Sequence, residues 1–141
     1  MKKNIVIIVF LLFTASFPGI GARFGGVNPQ DNDKGIGPVK DVKLGPVDKK
    51  MADDGKKIFI SKCMLCHDLD QAKIGPPLRT ITKERTPEFV MNYLINTSQM
   101  QKEDPAVKAL INKYLGVVMP SPDITQTQAR QVLEYLRSVT R

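Results

Sequence analysis

Cys63-Met64-Leu65-Cys66-His67 is the one place in this chain where chemically potent side chains stand at a telling spacing. Two thiols so placed on a turn can each add to a vinyl group of haem, leaving two thioether bonds. The adjacent imidazole then meets the iron from one face. The same residues fit two other chemistries. A thioredoxin-like redox pair needs a βαβ setting, and the surrounding pattern is helical. A zinc site would use Cys63, Cys66 and His67 but lacks an obvious fourth ligand of the usual kind. Covalent haem is the reading favoured by the context.

His67 is the only histidine in the chain. A bis-His haem therefore cannot form within one chain, and catalysis by a second histidine is excluded. The opposite face of the iron is left to a methionine, another weak ligand, water, or an open position. Met119 fits best, in the loop Gly116-Val117-Val118-Met119-Pro120, where proline stiffens the segment presenting the sulfur. The alternative for Met119 is a gap-filling core residue. Met100, in the polar run Thr97-Ser98-Gln99-Met100-Gln101, is expected to be exposed; Met91 lies mid-helix and Met64 inside the motif. Gly75-Pro76-Pro77-Leu78 follows the motif. A carbonyl there could accept the imidazole Nδ1 proton and orient the ring, or the two prolines simply rigidify a turn.

The elements that must position these groups are helical. Met51, Gly55, Ile58 and Phe59 recur at helical spacing and lead into Cys63. Thr86-Pro87 and Asp104-Pro105 each supply an N-cap oxygen followed by a first-turn proline. Phe89, Val90, Tyr93 and Leu94 form the stripe of the second helix, and Val107, Leu110, Ile111 and Tyr114 that of the third, which Gly116 ends. Thr125 with Gln128 makes a capping box before a last helix whose stripe is Ala129, Val132, Leu133, Tyr135, Leu136 and Val139. No strand-like alternation occurs. The expectation is an all-α domain over 49–141, about four helices, with loops near Lys73–Arg85 and Val117–Ile124.

Residues 1–22 read as an export signal: Lys2 and Lys3, an apolar run from Ile5 to Phe17, then Pro18 and small residues, with cleavage expected near Gly21 or Ala22. An uncleaved anchor is the alternative, although the run is short and interrupted for a span. No cysteine lies nearby to carry a lipid. Residues 23–48, rich in Gly, Pro, Asp and Lys, read as an extended arm or linker. The formal charge of +7 includes Lys2 and Lys3, so the mature chain stays basic, which suits an acidic partner surface or simply solubility. Export and the lack of a matching motif disfavour nucleic acid. Aromatic content is 6% with no Trp, thin for a self-sufficient core unless a large apolar cofactor fills it.

Taken in order, Gly55-x-x-x-Phe59, the Cys63–His67 motif, Gly75-Pro76-x-Leu78, Met119-Pro120 and Leu133-x-Tyr135-Leu136 resemble class I (mitochondrial-type) cytochrome c, in its small bacterial mono-haem branch. The resemblance spans about 49–141. It implies that fold wrapped around one haem c bound through Cys63 and Cys66, with His67 and Met119 as axial ligands. It further implies that Pro76 bonds the proximal imidazole and that Gly55 and Phe59 form a helix crossing with Tyr135. The family's propionate-binding Trp is missing, with Arg79, Arg85 and Tyr93 as candidates in its place, and the arm lies outside the pattern. The implied activity is single-electron transport by a periplasmic monomer that is not an enzyme. Its donor would be a quinol-cytochrome c reductase and its acceptor a terminal oxidase or nitrogen-oxide reductase. The alternative is a haem protein with an open or displaceable distal site for a small gas or haem enzymology; another is a cytochrome module docking on one large reductase through the arm.

Overall fold

Asp48, Thr86, Asp104 and Thr125 each cap a helix as their side-chain oxygens suggest. In the computed structural model, which describes residues 33–141, Asp48 accepts the Met51 N–H at 2.9 Å and opens α1 (Lys49–Lys62). Thr86 accepts from Phe89 and opens α3 (Pro87–Ile95); Asp104 accepts from Ala106 and Val107 and opens α5 (Pro105–Lys113). Thr125 and Gln128 form the reciprocal capping box of α6 (Gln126–Val139). Two short helices complete the six found among the described residues: α2 (Ile81–Glu84) and α4 (Thr97–Glu103). The fold is all-α, as expected. Residues 1–22, read above as an export signal, and the first part of the 23–48 arm lie outside the described residues. No described helix is long and apolar enough to cross a membrane.

The first and last helices cross at Gly55, and the crossing is tight. A Cβ at Gly55 would lie 1.9 Å from the Gln131 carbonyl oxygen, so only glycine lets the two backbones approach so closely. One turn further on, the Phe59 and Tyr135 rings sit with centroids 5.2 Å apart, tilted by 54°. These residues, with Val90, Met91, Ala129, Val132, Leu133 and Leu136, make the main core. A smaller cluster of Phe89, Met100 and Val107 joins α3, α4 and α5.

Met100 corrects the sequence reading. Rather than being exposed, it is fully buried (0%), and its sulfur receives the Ile36 N–H at 2.8 Å. Its neighbours Ser98 and Gln99 face solvent, so Met100, together with the buried hydroxyl of Thr97, holds a helix that is polar elsewhere.

Residues 33–48 are extended and lie along the helices, fastened at intervals. Asn92, buried in α3, accepts the Val39 N–H at 2.9 Å and donates to the carbonyls of Lys34 (2.8 Å) and Val39 (2.9 Å). Asn96 donates to the Ile36 carbonyl, and Glu88 accepts from Val42 at 2.7 Å. Val39 itself enters the main core. Further along, buried Glu134 is paired with Arg130 (2.6 Å) and Arg137 (2.7 Å), and these arginines reach the carbonyls of Lys43 and Gly45. A buried carboxylate paired on two sides avoids the cost of an isolated charge.

Candidate functional site

The Cys63–His67 turn begins where α1 runs out. Cys63 caps α1 through its N–H to Phe59, and the amides of Cys66 and His67 both fold back on the Cys63 carbonyl, at 3.1 and 2.9 Å. Lys73 closes the turn from outside, donating to the Met64 carbonyl at 3.0 Å, and the Gly75 N–H bonds the Cys66 carbonyl at 2.9 Å. Just beyond, Asp68 accepts the amides of Asp70 and Gln71, and these hold its carboxyl below the usual carboxylate range. Both thiols and the imidazole are thereby placed on one wall of a cleft.

The empty space in and before that cleft, open solvent included, is about 1310 Å³, and the cleft's surface is overwhelmingly apolar. Phe59, Val90, Leu94, Ile111, Val132 and Leu136 supply much of the lining, and Met119 with its loop neighbours Val117, Val118 and Pro120 supplies another part. Ligand sites are commonly largely apolar with a few placed polar groups, and here those groups are few. The described lining includes one permanent cation, Arg85, and one carboxylate, Glu84.

His67 Nδ1 lies 2.9 Å from the Pro76 carbonyl oxygen. A carbonyl only accepts, so the contact requires the proton on Nδ1 and leaves the Nε2 lone pair for a metal. Gly75 makes this position possible. A Cβ there would stand 2.4 Å from His67 Cε1 and 2.8 Å from Nδ1. Gly75→Ala should therefore push the ring off Pro76. The expected result is normally attached haem with part of the ferric iron high-spin, read by electron paramagnetic resonance; an unchanged low-spin signal would count against ring placement by Gly75.

The Cys63 thiol does not suit disulfide exchange. Burial pushes the Cys63 thiol up to about 11, where reactive redox cysteines are lowered. No group of three or more His, Cys, Asp or Glu side chains disposed to hold a metal occurs among the described residues, so the zinc alternative lacks its ligand set. Two thiols and an imidazole on one wall, a thioether on another, and an apolar slot between fit a covalently held haem.

Of the candidate propionate partners, Arg85 and Tyr93 line the cleft. Arg79 is occupied elsewhere, bonding Asp70 (Nη2 to Oδ2 at 2.7 Å) and the Val139 carbonyl at 2.8 Å. Two supporting residues escaped the sequence reading. Lys73 was unmarked by any pattern. Gln101 donates to the Met119 carbonyl at 2.6 Å from a helix with no apolar stripe to announce it.

Comparison with known proteins agrees with this geometry. The cytochrome c family model matches residues 52–140. Among solved structures, a cytochrome c from Rhodothermus marinus is similar at 42% identity and a TM-score of 0.70, covering 73% of this chain and 89% of that one. An engineered cytochrome c from the same organism, Rma TDE, is 41% identical at a TM-score of 0.70, covering 73% of this chain and 90% of that one. That engineered protein bound to a carbene intermediate is 41% identical at 0.67, covering 73% and 89%. No curated protein matches.

Proposed function

The chain belongs to the cytochrome c family, and we propose that it is an exported carrier of single electrons whose iron is held by His67 and Met119. The observation that carries the reading is the placement of His67, its Nδ1 on the Pro76 carbonyl, and of Met119 in the lining of one apolar cleft. Bound haem c supplies an iron that alternates between ferrous and ferric by gain and loss of one electron. The chain's own part is to hold and tune. Cys63 and Cys66 tether the group, and Pro76 fixes the tautomer and orientation of the imidazole. The Met119 thioether favours the reduced state relative to harder ligands. The apolar lining disfavours the extra charge of the oxidised state.

Electrons would pass in a small, transient contact, helped by the basic charge toward an acidic partner. A quinol-cytochrome c reductase as donor and a terminal oxidase or nitrogen-oxide reductase as acceptor fit such a carrier. The lysines and apolar run of residues 1–22 support export to the periplasm. A reduced-minus-oxidised spectrum of the exported protein, with haem staining on a denaturing gel, tests the reading. Sharp six-coordinate bands on a chain that keeps its haem when denatured are expected; five-coordinate bands in the reduced protein would defeat the His/Met assignment.

A second reading, a haem site that opens to bind a small ligand, is favoured by the Met119 loop, which makes no backbone–backbone hydrogen bond over 118–124. Carbon monoxide binding to the reduced protein separates the two: fast uptake supports the open site, and slow uptake the closed carrier.

A further inference from the structure

The loop carrying Met119 leaves α5 through Leu115 and Gly116, with φ of 57° and 80°, and reaches α6 past Asp123 at 49°. Two residues other than glycine in the left-handed region mark a segment whose local backbone is not at rest. The Val117 N–H still bonds the Tyr114 carbonyl at 3.0 Å. From Val118 to Ile124 the described chain then shows no backbone–backbone hydrogen bond. Two side chains from outside the loop hydrogen-bond to its carbonyls. Lys62 reaches the far end, donating to the Pro122 carbonyl at 2.9 Å. Gln101 Nε2 donates to the carbonyl of Met119 itself at 2.6 Å.

Gln101 acts from a fixed base. Its helix is seated by Met100 and Thr97, exposed by 0% and 2%. The same Gln101 nitrogen lies 3.5 Å from the hydroxyl of Tyr93, which lines the cleft. The amide thus stands between the cleft wall and the methionine's own peptide.

We propose that Gln101 is a positioning residue for the distal side, whose amide holds the Met119 peptide and thereby keeps the thioether turned toward the cleft. The inference rests on Met119 as distal ligand and goes beyond it by assigning what holds that ligand in place. A methionine whose own peptide was unbonded, on a loop otherwise held from outside only at its far end, would share its time between bound and swung-out positions; the Gln101 bond biases that ratio.

Gln101→Glu is the sharpest variant, since it keeps the size but its carboxylate cannot donate to a carbonyl. Gln101→Ala removes the group altogether and decides the matter if the Glu variant fails to mature. Haem covalency on a gel and helix content by circular dichroism establish that each variant is folded and loaded. The expected result is a weaker methionine–iron charge-transfer absorption in the ferric protein. Carbon monoxide association with the reduced protein should also become about tenfold faster, the factor that one neutral hydrogen bond commands. Met119→Ala is measured alongside. If it loses the absorption while loaded Gln101 variants keep both parental signals, the positioning role is overturned and the ligand assignment stands. If Met119→Ala keeps the absorption, both fall.

Discussion

Replacing Gly55 by alanine should cost about 3 kcal/mol, a large fraction of the stability of a domain this size. Alanine at a helix interior is worth about 1 kcal/mol over glycine, so propensity alone predicts stabilisation. The contact decides otherwise. A new Cβ would stand 1.9 Å from the Gln131 carbonyl oxygen and 2.9 Å from the Val132 nitrogen, both backbone atoms of α6. Neither can rotate aside as a side chain would. The helices must separate, and Phe59, Tyr135, Val132 and Leu136 would loosen with them. Three of these, Phe59, Val132 and Leu136, also line the cleft. Thermal unfolding followed at a haem band and by far-ultraviolet circular dichroism checks the expectation; a melting temperature at or above the parent's would refute the crossing as a tight point.

Met119→Ala should leave attachment and folding intact while abolishing the methionine–iron charge-transfer absorption and lowering the midpoint potential by on the order of 100 mV or more. Axial ligands are the strongest lever on a haem's potential, and a thioether favours the ferrous state more than water or a harder donor would. Met119 is only half-buried and sits on a loop rather than in either core cluster, so its truncation leaves no large cavity. Spectroelectrochemical titration reads the potential directly. An unchanged potential and absorption would move the distal ligand elsewhere.

Much of this was legible in the chain itself, for identifiable reasons. Three helix starts announced themselves because Thr or Asp before Pro, and Thr with Gln three residues on, leave few other local structures open. The role of Gly55 could be read only through the resemblance, since nothing local tells a glycine that lets helices cross from one that merely tolerates them; a carbonyl at Pro76 is one of two local readings, and the resemblance favours it. The helix at 97–103 was missed because its inward side is one methionine and one threonine, too little apolar surface for a periodic signal. Lys73–Arg85, expected as a loop, contains the four-residue turn α2. The docking of residues 33–48 left still less trace. It depends on Asn92, Glu88 and Glu134, polar residues within helices, which sequence pattern assigns to the solvent face. Backbone from a distant segment satisfies Asn92 and Glu88, and Arg130 and Arg137, themselves reaching that segment's carbonyls, satisfy Glu134.

That docking bears on how the protein yields when stressed. The amides of Ile36, Val39 and Val42 are each bonded to a side chain of α3 or α4. Peeling the segment away would leave Asn92 with none of its present partners and Glu88 without the Val42 amide, at positions with little access to water. Fraying from this end is therefore not a cheap local event of the kind loose termini usually allow. Residues 33–48 belong to the same cooperative unit as α3 and α6. Its limits run well ahead of residue 52, where the family's shared pattern begins.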